Sequence, residues 1–354
     1  MEFEYSMPPL TIAARAVVAC LPVLLFLTTL VLLDTFRLVR RRRVAVALVA
    51  GGVTALATYF LNTWLLDLTD LPSWRFAVLV APLVEETAKG AYVAWLIATR
   101  RAGFLVDTAI LGFAVGAGFA IVENVYYLSQ LPDAPLLVWA VRGLGTAIMH
   151  GGVTALLGLM VQAFGERRGA GSGRPWLGAL LVAALLHAMF NRFMVQPLIA
   201  TALTLAILPV AMTAAWRFGE RRLRRWLGRG FDLDSELLGL IRDGQVSGTP
   251  VGLYLQSLRD GFRADTVADM LCLLRLQCEL SLRAKGTLLL REQGFEPAHD
   301  PELAARLAEL RWLEKSVGRA GLLALRPLAR WRGTDAWQRH LLEEQASPAP
   351  VRAR

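Results

Sequence analysis

The sequence is poor in cysteine and, over most of its length, in lysine, and both shortages narrow what the chain can be. Its three cysteines, Cys20, Cys272 and Cys278, supply neither a disulfide framework nor the paired spacing of a metal knuckle. Cys272 and Cys278 lie in a helical stretch and are expected as core thiols. Residues 1–230 contain one lysine, Lys89, against 20 arginines, so lysine is not the default basic residue there. No internal repeat is visible. The opening residues MEFEYSMPPL lack a basic leader, and the apolar run that follows lacks a small-residue cleavage site. Residues 15–36 therefore read as a retained first span rather than a signal peptide.

The charge balance excludes a further class. A net charge of +9 would suit a nucleic-acid binder, but residues 231–354 hold 17 basic and 17 acidic side chains. The whole excess belongs to residues 1–230, where it clusters at the ends of apolar runs. That is topology-setting charge rather than a phosphate-binding surface, and no nucleic-acid partner is expected.

What the chain has in quantity is hydrophobic sequence, 55% of its residues. Runs of about 20 apolar residues recur, each long enough to cross a bilayer as a helix. The expected fold class is all-α: a polytopic helical membrane protein with about seven transmembrane helices and a C-terminal soluble helical domain. The spans fall near 15–36, 44–66, 76–98, 105–130, 136–164, 176–196 and 198–217. Basic loops (RLVRRRR, TRR, GERRGAGSGR, RFGERRLRRW) alternate with loops poor in basic residues (DLTDLPSWR, SQLPDAP, NRFMVQP). The positive-inside rule then places the N-terminus outside a cell membrane and the C-terminus in the cytoplasm. The expected division is an N-terminal two-span segment (1–75), a membrane core (76–230), a cytoplasmic helical domain (231–345) and a disordered tail (346–354). GAGSG at 169–173 reads as a flexible loop. Thr249-Pro250 and Asp300-Pro301 read as helix starts. The bilayer is the expected environment; oligomeric state is not legible.

Against this apolar background the intramembrane polar residues stand out, because each ionisable group at mid-span costs about 2.5–3.5 kcal/mol on insertion scales. They are Glu85, Glu86 and Lys89 on the third span, Glu123 and Asn124 on the fourth, His150 on the fifth, and His187 and Asn191 on the sixth. Counted at about 1.5 Å per residue, they reach similar depths between the midplane and the outer face. Glu85 and Lys89 share a helix face, as do His187 and Asn191, and as do Phe119, Glu123 and Tyr127. Lys89 can pair with either glutamate of its helix and offset the cost of burying it. Pro82, a turn before the pair, leaves a carbonyl unpaired and permits a bend. Glycines at 112, 116, 118, 143, 145, 151 and 152 permit close helix packing. Arg142 and Arg192, nearer the outer face, are expected as interfacial anchors.

These motifs, EETAK at 85–89, FAIVE at 119–123, the histidine of IMHGG and HAMFN at 187–191, resemble in type and order those of the PrsW family of intramembrane proteases. That family is similar to the CAAX prenyl protease and Abi group. The resemblance covers about residues 80–217, so 76–230 becomes a PrsW-like protease core. It implies an endopeptidase that hydrolyses a membrane-associated protein, with an anti-sigma factor cut on the outer side as the site-1-type example. Either Glu85 or Glu86 would then activate water as general base, with Lys89 holding the other. His187 and Asn191 would stabilise the oxyanion. The family's metal dependence implies a Zn2+ site for which His150, His187 and Glu123 form a plausible ligand set, although a metal-free glutamate mechanism fits the same residues.

Other readings of the same residues stand beside it. A mid-span histidine also serves as a helix–helix hydrogen-bonding residue, and Glu123 serves equally as a structural partner of Lys89. Intramembrane Glu and His also build ion or proton pathways in transporters. A non-catalytic membrane signalling scaffold acting through the C-terminal domain is a third reading.

Overall fold

The computed structural model describes residues 9–168, 174–193, 196–295, 297, 300–328 and 336–346. The GAGSG loop and residues 347–354 of the expected tail lie outside them. Among the described residues every regular element is helical and no strand occurs. The chain divides into two units, Met1–Glu220 and Arg221–Arg354.

In the first unit, α1 (Pro9–Leu32), α2 (Arg41–Thr69), α3 (Ser73–Leu79) and α4 (Ala81–Ala98) precede a central helix, α5 (Leu105–Gln130). Then come the short α6 (Leu136–Val141), a π-helical turn at Arg142–Thr146, α7 (Ala147–Arg168), α8 (Arg174–Phe193) and α9 (Pro197–Arg242), which runs through the boundary between units. Among the described residues, five stretches are long and apolar enough to cross a membrane: Thr11–Leu32, Arg41–Thr69, Leu105–Gln130, Leu136–Phe164 and Pro197–Arg242. Trp176–Arg192 is a shorter apolar helix.

The expected span at 76–98 is not among the five, for two physical reasons. It is broken at Val80 (φ −100°, ψ −52°) into α3 and α4. Pro82 has no N–H to return to the carbonyl four residues back, and its ring crowds that carbonyl, which favours a break here. The 18 residues of α4 also carry Glu85, Glu86 and Lys89, which dilute its hydrophobicity.

Helix α5 is buried continuously from Leu105 to Ala120 and packs against α1, α2 and α7. Two of these contacts are backbone to backbone. A Cβ on Gly118 would sit 1.9 Å from the Leu48 carbonyl oxygen, and one on Gly51 would sit 1.9 Å from that of Val115. From this crossing of residues 48–51 with 115–118, numbers rise on both helices to the Tyr59–Tyr126 ring pair, centroids 5.0 Å apart, so α2 and α5 run parallel. On the opposite flank, a Cβ on Gly116 would lie 2.2 Å from the His150 carbonyl oxygen. Small residues thus bring three helix backbones together at the level of the motif residues, as close packing in lipid requires.

The second unit continues with α10 (Pro250–Ser257), α11 (Ala264–Glu292), α12 (Leu303–Ala324) and α13 (Ala336–Ala346). The Thr249 side chain caps α10, accepting from the Gly252 N–H at 3.2 Å, with Pro250 at the first helical position. The Asp300-Pro301 signal lies slightly early: Asp300 accepts from the Glu302 N–H, and α12 begins at Leu303. Met270, Leu273, Leu274, Leu276 and Leu280 of α11 are buried, and farther along the same helix Lys285 pairs with Asp234 at 2.5 Å. Cys278 is a core thiol as expected, but Cys272 is exposed. Six residues at about 100° each place the two on different faces of α11.

Candidate functional site

Four helices bring the polar residues into one contiguous cluster. On α4, Glu85 and Glu86 are consecutive and therefore point about 100° apart. Glu86 and Lys89 are fully buried, with Lys89 Nζ 2.5 Å from Glu86 Oε1. Lys89 also donates to His150 Nδ1 on α7 at 3.1 Å and lies 4.4 Å from the centroid of the Phe119 ring. An ammonium only donates, so Nδ1 of His150 accepts and the imidazole proton sits on Nε2, which donates to Glu123 Oε2 on α5 at 3.0 Å.

His187 on α8 is fixed in the opposite sense. Its Nδ1–H donates to Glu86 Oε1 at 2.9 Å. Its Nε2 faces Glu85, whose Oε2 lies 3.9 Å away. The two imidazoles meet nearly edge-on, centroids 4.7 Å apart. Asn191, one turn after His187, donates to the Ala77 carbonyl at 2.8 Å and ties α8 to α3 just before the break.

Arg142 corrects the sequence reading. It is not an interfacial anchor: its side chain is 9% exposed and pairs with Glu123 at 3.3 Å. It also donates through Nε to Asn124 Oδ1 at 2.8 Å and covers the Tyr127 ring at 3.9 Å. It opens the π-helical turn in which the Ala147 N–H returns to the Arg142 carbonyl. Such turns recur at functional sites because they re-aim side chains within a helix. Arg192, by contrast, is exposed.

A cavity of about 860 Å³ opens on this cluster. Glu85, Glu123, His150, His187, Asn191 and Arg142 line its polar end, and Tyr59, Phe60, Trp74 and Tyr126 its apolar walls. Glu86 and Lys89 do not reach it. Two residues at the site carry no motif signal. Arg142 pairs across helices, and Asn62 of α2 lines the same cavity and donates to Glu85 Oε1 at 3.3 Å. The legible clue was the cost of an amide or guanidinium within an apolar run.

The residues fit a bound cation. Glu85, His150 and His187 each offer a ligand atom, and these atoms lie within 4.8 Å of one another; His150 would ligate only by releasing its hydrogen bond from Lys89 or its hydrogen bond to Glu123. Two nitrogens and one carboxylate oxygen are the donor set of a catalytic site that keeps a position open. The buried Glu86 Oε2 lacks a hydrogen-bond partner among the described residues, and three carboxylates (Glu85, Glu86, Glu123) face two fixed cations (Lys89, Arg142). Glu86 on His187 Nδ1 is also the carboxylate–histidine arrangement that presents Nε2 to a metal. Glu85 thus stands beside the two histidines, whereas Glu123 reaches the group through His150 Nε2.

Comparison with known proteins agrees in kind. The PrsW family intramembrane metalloprotease pattern matches residues 40–216, half of the chain. No curated protein and no solved structure matches it.

Proposed function

Because the chain belongs to the PrsW family of intramembrane metalloproteases, we propose that it hydrolyses a peptide bond of a membrane-associated protein with Glu85 as the general base. Family membership makes the chain a membrane-embedded protease; the assignment of the base rests on one observation. Of the two adjacent glutamates, Glu85 lines the cavity, while Glu86 is sealed against Lys89 and His187.

Glu85 takes a proton from a water held in the cavity as the oxygen attacks the scissile carbonyl. It then returns that proton to the departing amine nitrogen. Asn191 has an amide N–H beyond the one given to Ala77, and we assign it to the tetrahedral oxyanion. A metal held by Glu85, His150 and His187 would supply Lewis-acid polarisation and a more acidic water, Glu85 serving it through one carboxylate oxygen and leaving the other for the water's proton. Lys89 and Glu86 hold His150 and His187 from behind and touch no substrate. Arg142 holds Glu123, which in turn holds His150.

The cavity is lined by the later half of α2, by α3 and by the start of α4, next to the connection at 70–72, which has no basic residue. Under the positive-inside rule that is the outer side of a cell membrane, which supports an initial, outward-side cut in a single-pass protein of the anti-sigma type. The apolar walls suit an extended segment of such a protein.

The test compares membrane-protein N-termini by mass spectrometry in cells carrying wild type or Glu85→Gln at equal abundance. New N-termini near a span that appear with wild type alone support the assignment and name the substrate. Matching profiles across conditions in which wild type is active on a known substrate would remove Glu85 from the role of base.

A further inference from the structure

We propose that Asn62, on a helix outside the four motifs, is a positioning residue that aims Glu85 at the substrate. The inference rests on Glu85 being the base. Among the described residues, the Asn62 amide is the hydrogen-bond donor to the Glu85 carboxylate, Nδ2 to Oε1 at 3.3 Å. His187 Nε2 lies 3.9 Å from Glu85 Oε2, beyond hydrogen-bond distance. The orientation of the carboxylate is therefore set from α2.

Three further observations point the same way. Asn62 lies in the apolar run ATYFLNTWLL, where an amide is costly unless a partner or a cavity receives it. Its Oδ1 is buried and has no hydrogen-bond partner among the described residues, so the amide does not form a closed structural pair. Both Asn62 and Glu85 line the cavity. The position of α2 is in turn fixed by the Gly51 and Gly118 contacts with α5, so Asn62 reports to Glu85 from a rigid support.

Replacement by leucine separates positioning from packing. Asn62→Leu is close in size and better suited to lipid, so a residue present for packing alone would tolerate it. Purified full-length protein in nanodiscs is compared by infrared spectroscopy at one pH, the Glu85 carboxyl band being the one absent from Glu85→Gln. A shift of that band in Asn62→Leu supports the contact; an unmoved band overturns it. On the substrate named by its new N-terminus, kcat should fall about 10- to 100-fold with KM changed less than about twofold. A wild-type kcat overturns the positioning role. Asn62→Ala serves as the second variant should the leucine protein fail to fold. If the wild type cleaves nothing, the proteolytic reading falls, and the infrared band alone decides the Asn62–Glu85 contact.

Discussion

His187 lies between two adjacent carboxylates, its Nδ1 2.9 Å from Glu86 Oε1 and its Nε2 3.9 Å from Glu85 Oε2. One ring thus links the sealed glutamate to the one that faces the cavity, and the two should answer differently to the same change of charge.

Glu85→Gln should lower cleavage at least about 100-fold, the loss expected of a general base, while the purified protein melts at or above the wild-type temperature. Glu86→Gln should lower the melting temperature and the amount of protein in the membrane. It leaves Lys89 buried without its 2.5 Å partner, and breaking a buried pair costs about 3–5 kcal/mol. Activity and thermal melts on both variants in one detergent check the contrast.

Lys89→Met should destabilise the chain for the reciprocal reason, and combining it with Glu86→Gln should recover part of the loss. A double-mutant cycle on melting measures the coupling. Lys89→Arg should not substitute: the larger guanidinium has no room beside His150 and the Phe119 ring, where Lys89 is fully buried.

Metal content should follow the geometry of the cavity. Elemental analysis of purified protein should find less bound transition metal in His150→Ala, His187→Ala and Glu85→Gln. Glu123→Gln should retain more, because Glu123 reaches the group through His150 rather than standing with the trio. Equal retention in Glu85→Gln and loss in Glu123→Gln would transfer the carboxylate ligand to Glu123.

Arg142→Lys should lower cleavage about tenfold or more although the charge is kept. The guanidinium joins Asn124 and Glu123 at once through Nε and Nη2, and an ammonium cannot reproduce that fork. Kinetics on the identified substrate check it, with infrared spectra of the protein reporting whether the fold is retained.

Gly116→Val should abolish accumulation of folded protein, since even a Cβ there would stand 2.2 Å from the His150 carbonyl oxygen, a backbone atom that cannot turn aside. Membrane fractionation of the tagged protein is sufficient to see it.

The elements that were legible in the sequence are those whose signal is local. Hydrophobic runs gave the long helices, and Pro82 foreshadowed the break at Val80. The spacing within EETAK and HAMFN placed residues on common faces. Which glutamate meets the cavity was not legible, because that depends on what packs against α4 rather than on α4 itself. Asn62 and Arg142 were missed for a related reason: their partners lie 23 and 18 residues or more away on other helices, and no short pattern records such a pairing. Arg142 in particular has the composition of an anchor near a span end, and only its partners Glu123 and Asn124 draw it inward.

The glycine contacts between α2 and α5 have a consequence for how the molecule meets its lipid. With Leu48 and Val115 carbonyls seated where side chains would otherwise be, the two helices cannot slip past one another by a residue without first lifting apart. A thicker or thinner bilayer is then met by tilting the pair as a single beam rather than by sliding within it. The heights of Asn62 and Glu123 relative to each other stay constant while their depth in the membrane changes.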